Sequence, residues 1–135
     1  MERKVVYEDK NLRLEYVPEG NYIHETWWGR TPRFVFEKLL KEVVKALEEN
    51  KATGLLLDAR EHMGLGPDSQ KLAAETIADY ARKHGKIREA IIVPKDVFSD
   101  YSVRNYSQQV TQKGPVETRF FDQIADAENW LKSTG

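Results

Sequence analysis

The chain has 135 residues, of which 40% are hydrophobic and 10% aromatic, so it has the apolar content of a folded domain and not of a disordered chain. Its 21 basic and 22 acidic residues leave a formal net charge of −1, which removes the usual electrostatic case for a nucleic-acid or anionic-membrane partner. Without cysteine, disulfides and thiolate zinc sites are excluded. We expect a single domain over residues 1–135.

The N-terminal residues MERKVVYEDK are charged and lack the apolar centre of a signal peptide. No apolar run approaches the roughly 18 residues that cross a bilayer. We therefore expect a cytoplasmic protein without a transmembrane segment.

Three short strands are predicted first. Val5-Val6-Tyr7 is one, and the alternation of apolar and charged residues over 12–16 indicates a second strand with one solvated face. The turn residues of 18–21 predict a hairpin whose returning strand covers 22–28. Trp27 and Trp28 should then point to opposite faces, with at least one of them in the core.

Thr31-Pro32 predicts the start of the first helix, with Thr31 as N-cap and Pro32 at the first helical position. Apolar residues recur at helical spacing from Phe36 to Leu47, and Asn50 is predicted to close the helix.

The segment GLLLDAREHMGLGPDS over 54–69 carries the strongest pattern. A buried strand ends in Asp58 and Arg60, a loop contains Gly64 and Gly66, and a helix opens at Pro67. Open α/β folds usually place their sites where a strand delivers polar groups to a helix N-terminus, so this is the predicted working surface.

The second half alternates helices and strands. The helix after Pro67 ends at His84-Gly85, a buried strand covers 89–93, another covers 116–121, and Asp122 is predicted to cap a final helix. The serines, threonines and glutamines of 96–113 favour a helix that starts late, after a mobile entry loop.

The order β-β-β-α-β-α-β-α-β-α predicts an α/β fold with about four helices. Its single-layer mixed sheet should consist of an N-terminal antiparallel hairpin followed by mainly parallel β-α units.

This order, with LLLDAR, IIVPKDVFSDYSV and the closing FFDQIADAENWL, resembles the STAS and SpoIIAA-like family of small bacterial α/β domains over nearly the whole chain. The resemblance implies a non-enzymatic signalling module that binds protein partners, antagonises anti-sigma factors or senses ligands. A neighbouring branch is similar to the CRAL-TRIO lipid-binding fold, which implies a carrier or sensor of an apolar ligand as the alternative.

In the antagonist branch, an Asp-Ser pair at the start of the helix after this strand receives phosphate, and Asp68-Ser69 is similar in kind and placement. Gln70 and Lys71 replace the usual second hydroxyl residue and the following glycine. Ser69 is thus a candidate phosphoacceptor, and the alternative is that Asp68 or Ser69 is a plain N-cap.

Asp58 and Arg60 either bind a ligand or a protein partner, or they form a structural pair with each other. His62 lies in the same loop and is the histidine to test as an acid or base. Three scattered histidines lack metal-ligand spacing, and neither a dinucleotide fingerprint nor a P-loop follows Gly64-Leu65-Gly66, so no metal or cofactor is expected.

The aromatic residues of 96–106 are the strongest binding candidates. Phe98, Tyr101 and Tyr106, together with Met63 and Leu65, either surround an apolar pocket under a movable segment or pack on the sheet. We predict binding of a protein partner or of a second copy through the Asp58–Ser69 surface. The alternative is a lipid or other apolar small molecule held between helix 67–84 and segment 96–112.

Overall fold

In the computed structural model, which describes residues 2–133, strands and helices follow one another in the predicted order. The strands are β1 (Lys4–Glu8), β2 (Leu12–Val17), β3 (Tyr22–Gly29), β4 (Gly54–His62), β5 (Ile87–Ile92) and β6 (Val116–Phe121). The helices are α1 (Arg33–Asn50), α2 (Pro67–His84), α3 (Val97–Lys113) and α4 (Ile124–Lys132).

One mixed sheet contains the six strands in chain order. β1, β2 and β3 pair antiparallel, and β3 through β6 pair parallel. The predicted fold class is therefore confirmed: an antiparallel N-terminal part continues into parallel β-α units, because each helix returns the chain to the edge where the next parallel strand begins.

Helices cover the two faces of the sheet unequally. α1, α2 and α3 pack on one face and form the large core, which includes Leu55 and Ile91. α4 alone packs on the other face, where Ala127 and Leu131 meet a smaller apolar cluster around Leu56. Leu55 and Leu56 serve opposite faces because successive strand residues alternate.

Trp27 and Trp28 follow the same alternation. Trp27 is 4% exposed and belongs to the large core, where its ring lies 5.5 Å from that of Phe36. Trp28 is half-buried on the other face. The prediction that the two indoles point in opposite directions and that one of them is core is correct.

α2 begins at Pro67 as predicted, but the residues predicted to cap α1, α2 and α4 do not cap them. Pro32, with φ −55° and ψ 156°, is the N-cap of α1, because the Thr31 hydroxyl is engaged with His62 instead. Gly66 precedes α2, so neither Asp68 nor Ser69 is its N-cap, and α4 begins after Gln123 rather than after Asp122.

α3 also begins earlier than its composition predicts. Asp96 is its N-cap and accepts a hydrogen bond from the Ser99 amide at 2.9 Å. This cap lets the first turn form directly at Val97, and the hydroxyls of Ser99, Ser102 and Ser107 bond to other parts of the fold.

Candidate functional site

A bulge in β4 divides the predicted polar cluster between the two faces of the sheet. Thr26 on β3 lies opposite Asp58, yet Trp28, two residues later, lies opposite Glu61. β4 therefore contains one extra residue here, which reverses the side-chain alternation after Asp58. Asp58 faces the side covered by α4, whereas His62 points under α1, α2 and α3.

Asp58 and Arg60 form a closed pair on the α4 side. Arg60 Nε donates to Asp58 Oδ1 at 2.9 Å, and the Arg60 NH2 group donates to Oδ2 at 2.8 Å. Burial of Asp58 works to raise the pKa of its carboxyl, but the hydrogen bonds from Arg60 outweigh burial and hold that pKa below its usual range. The two groups satisfy each other in the fork geometry that strengthens such pairs.

A cavity of about 60 Å³ lies on the other face, between the sheet and helices α1 to α3. Large apolar side chains form most of its wall: Trp27, Phe36, Leu40, Ile77 and Val103. Among the predicted site residues, His62, Leu65 and Tyr106 line it. The structure thus brings these three together, away from Asp58 and Arg60.

The first turns of α3 close the cavity against the loop after β4. Ser99 Oγ donates to the His62 carbonyl at 3.0 Å, and Ser102 Oγ accepts from the Leu65 amide at 3.0 Å. Gly64, with φ +90°, lies so near that a Cβ there would come within 2.7 Å of the Phe98 ring. Because Gly64 has no side chain, the loop can approach the Phe98 ring this closely. Packing therefore accounts for the glycine without a phosphate-binding role.

Two buried glutamates form the polar floor of the cavity. Glu25 lies opposite Leu57 of β4, and Glu89 lies opposite Leu55, so both carboxyl groups project from the same face on either side of β4. Glu25 is 6% exposed and Glu89 is 1% exposed.

Each carboxyl group has one aromatic donor. Trp27 Nε1 donates to Glu25 Oε1 at 3.0 Å, and the Tyr106 hydroxyl donates to Glu89 Oε1 at 2.6 Å. Burial raises the pKa of Glu25 to about 7. Burial, with the charge of Glu25 as a second cause, raises the pKa of Glu89 to about 8.

His62 is neutral and fully engaged. Its Nδ1 accepts a hydrogen bond from the Gly64 amide at 3.1 Å, so the proton of the neutral ring lies on Nε2, which bonds Thr31 Oγ1 at 2.9 Å. Burial lowers the pKa of His62 to about 4. These bonds position the ring beside Trp27 and leave neither nitrogen free for proton transfer to a ligand.

Apolar side chains are exposed next to this cover and define what we call the α3 surface: Met63, Val97, Phe98 and Tyr101. Their exposed fractions run from 52% for Met63 to 84% for Val97. The predicted aromatic set is therefore divided, because Phe98 and Tyr101 face outward while Tyr106 is 4% exposed and lines the cavity.

Ser69 is the third residue of α2 and is only 6% exposed. The neighbouring Asp68 carboxylate is exposed and lies 3.5 Å from Arg33. Transfer of phosphate to Ser69 requires its hydroxyl to leave this buried position, and its modification stays a prediction.

Glu25 and Glu89 are site residues that the sequence interpretation did not single out. A signal was present, because each occupies a strand position of the same parity as buried apolar neighbours: Ile23 and Trp27 flank Glu25, and Ile87 and Ile91 flank Glu89. A carboxylate in the apolar register of a buried strand is uncommon unless it is paired.

Within residues 2–133, no cluster of three or more histidine, aspartate or glutamate side chains is arranged to hold a metal ion. No helix in the same part of the chain has the length and apolar character needed to cross a membrane.

The architecture is similar to two solved structures. An uncharacterised protein of the DUF3478 family from Shewanella loihica PV-4, described as having a SpoIIAA-like fold, superposes with a TM-score of 0.59 at 19% identity, covering 97% of this chain and 96% of that one. The anti-sigma factor antagonist SpoIIAA in its unphosphorylated form superposes with a TM-score of 0.61 at 12% identity, covering 90% and 98%.

These similarities show that the chain has the SpoIIAA-like fold, as the resemblance in sequence pattern implied. No protein-family model matches the sequence, and no curated protein matches it.

Proposed function

We propose that this chain is a non-enzymatic regulatory module that binds a protein partner through the α3 surface. The supporting observation is the concentration of exposed apolar side chains at Met63, Val97, Phe98 and Tyr101. Solvent-exposed apolar groups that gather in one place commonly mark an interaction site, whereas single ones do not. The SpoIIAA-like fold is consistent with a regulatory role, since one protein with this fold is an anti-sigma factor antagonist.

The polar groups favour binding over catalysis. Asp58 and Arg60 neutralise each other, and both ring nitrogens of His62 are engaged. A general acid or base needs a free position within hydrogen-bonding reach of a substrate. These three residues therefore support the fold rather than a reaction.

The partner surface is tested by the double substitution Phe98→Ser and Tyr101→Ser. Wild-type protein immobilised as bait should retain a partner from its host extract, and the double variant should lose it, because two apolar contacts are removed from the surface. Phe34→Ser is the matched control, since Phe34 is 75% exposed but lies outside the α3 surface.

Sedimentation velocity distinguishes self-association of the chain from binding of a different protein. A concentration-dependent dimer that the double variant abolishes identifies the partner as the chain itself. Retention of the partner by the double variant, or its loss with Phe34→Ser, would contradict the proposal.

A second candidate is a sensor of a small ligand held in the cavity. The observation that favours it is the partly open cavity of about 60 Å³ beneath α3. An apolar cavity of about 150 Å³ holds benzene, so a whole lipid chain does not fit unless α3 moves. Native mass spectrometry of protein from its own host tests this candidate. An adduct lost on denaturation, and absent when Ala73→Leu fills the cavity wall, supports it, and a bare chain contradicts it.

A further inference from the structure

The wall and the floor of the cavity differ in chemistry, and this difference limits which ligands the cavity can bind. Its wall is apolar and aromatic, and its floor holds the carboxyl groups of Glu25 and Glu89. Among residues 2–133 no lysine or arginine lines it, so neither carboxyl group has a cationic neighbour from this part of the chain in the cavity. Buried carboxylates without a counter-charge are costly, and a bound cation offsets that cost.

Among the described residues, each carboxyl group receives a hydrogen bond through Oε1 only, from Trp27 in one case and from Tyr106 in the other. The hydrogen bonds found for these carboxyl groups leave Oε2 of Glu25 and of Glu89 without a donor from the described residues, although the two residues are only 6% and 1% exposed. Because each Oε1 already accepts a hydrogen bond, the Oε2 atoms become two acceptor positions for a ligand when the carboxyl groups ionise.

The other polar side chains of the cavity do not compete for this ligand. His62 uses both ring nitrogens. Ser99 binds the carbonyl at the end of β4, and Ser102 binds the backbone of the loop that follows. The free hydrogen-bonding capacity of the cavity therefore lies in the carboxyl groups.

We propose that this cavity binds a small primary ammonium ion, with the ammonium group between Glu25 and Glu89 and a short carbon chain against the apolar wall. An ammonium group carries three donors and one positive charge, which match two carboxyl acceptors that lack a counter-ion. The volume of about 60 Å³ limits the chain to a few carbon atoms.

Proton release provides a signature that a neutral ligand does not give. The raised pKa values of Glu25 and Glu89 mean that the pair retains protons near neutral pH. The other titratable lining groups are His62 on β4 and Tyr106 on α3, while α1 and α2 contribute only apolar residues. Since a bound cation favours the ionised carboxylates, binding at pH 7 should release protons to the buffer.

The full chain is titrated separately with methylammonium, ethylammonium and propylammonium chloride. Binding is measured by isothermal titration calorimetry at pH 7 in two buffers that differ in ionisation enthalpy. Methanol, ethanol and 1-propanol are the neutral controls, and sodium chloride controls for ionic strength. At least one amine should bind with proton release, its affinity should rise from pH 6.5 to pH 8, and the alcohols should not bind.

The double variant Glu25→Gln with Glu89→Gln should weaken amine binding by more than about tenfold, because it removes both charge-assisted acceptors. Glutamine keeps an oxygen that accepts from Trp27 and Tyr106, so the variant should fold. Glu37→Gln with Glu48→Gln, two exposed positions on α1, is the matched control. The indole N–H resonance of Trp27 supplies an independent readout in the wild-type protein, since it should shift on amine binding.

Equal binding of alcohols, undiminished binding by the double variant, or no binding of any of the three amines would overturn the proposal. This inference rests on the small-ligand candidate above and not on the partner surface. A Val97→Ser and Tyr101→Ser variant leaves Phe98 in contact with Gly64, so it should lose the protein partner and still bind the amine. The failure of one idea is therefore distinguishable from the failure of the other.

Discussion

At the scale of single residues, buried acids and buried histidines have opposite effects on how the free energy of unfolding changes with pH. The folded-state pKa values of Glu25 and Glu89 lie above that of an exposed glutamate, so the folded chain binds more protons than the unfolded chain over that range. Their contribution to stability is full below about pH 4.5 and falls as pH rises toward about 8.

His62 and His24 act in the other direction. Burial lowers the pKa of both, and the charge of Arg3 lowers that of His24 further. Each stabilises the folded chain above the ordinary histidine pKa of about 6.5 and loses that stabilisation as pH falls. Between about pH 4.5 and 6.5, the two histidines and the two glutamates therefore change the free energy of unfolding in opposite directions.

Among residues 2–133, Glu25 and Glu89 are the groups with raised pKa values of about 7 and about 8, so they still change the free energy of unfolding above pH 6.5. We expect the free energy of unfolding to fall by about 2 kcal/mol between pH 6.5 and pH 8, since each extra proton on the folded chain contributes about 1.4 kcal/mol per pH unit. Urea unfolding at pH 6.5, 7.25 and 8 measures this.

The Glu25→Gln and Glu89→Gln double variant should remove most of the decline, and the exposed pair Glu37→Gln and Glu48→Gln should preserve it. A flat wild-type profile over this range would show that the two carboxyl groups do not retain their protons.

At the scale of the elements, the cover of the cavity depends on the contact between α3 and the loop after β4. Ser99 and Ser102 bind that loop through their hydroxyls, and the Phe98 ring lies over Gly64. The residue types that weaken α3 as an isolated helix are therefore the ones that attach it to the rest of the fold.

Gly64→Ala should loosen this attachment. The new Cβ would lie 2.7 Å from the Phe98 ring at a φ of +90°, so strain and a clash both act, and we expect a loss of about 2 kcal/mol or more. Hydrogen exchange over the first turns of α3 should accelerate.

Gly85→Ala is the matched control for that substitution. Gly85 has a φ of +107° but open space around its Cβ position, so it carries the backbone strain without the clash. Its substitution should leave exchange in α3 unchanged. Equal acceleration of α3 in both variants would mean that the contact with Phe98 is not what attaches the helix.

At the scale of the whole molecule, the two faces of the sheet differ in how much apolar surface their helices bury. Three helices of 17 or 18 residues cover one face, and the nine-residue α4 covers part of the other. Only Ala127 and Leu131 of α4 are fully buried. Elements with few buried contacts open at lower free energy than the global transition.

We expect α4 to open before the rest of the chain. Native-state hydrogen exchange in low denaturant should give the amides of α4 a smaller opening free energy than those of α1, which anchors the large core through six buried residues, from Phe36 to Leu47. Identical opening free energies for the two helices would show that the faces unfold as one unit.

Much of this fold follows from patterns within short stretches of the chain. Alternation in 12–16 and 22–28, the helical spacing after Thr31 and the apolar run before Asp58 predict the element order. Chain order then predicts a mixed sheet, since parallel strands need crossovers. Helix starts were predicted less well: the hydroxyl of Thr31, which resembles a capping residue, hydrogen-bonds to the distant His62 instead.

The predicted site depended on contacts between distant parts of the chain. One extra residue in β4 separates His62 from Asp58, and no local pattern in the strand reveals that bulge. Glu25 and Glu89 are 64 positions apart and line one cavity because β3 and β5 flank β4 in the sheet. Periodicity indicates which residues are buried, but the register between strands decides which buried groups share a cavity. That register is established by packing of the whole core.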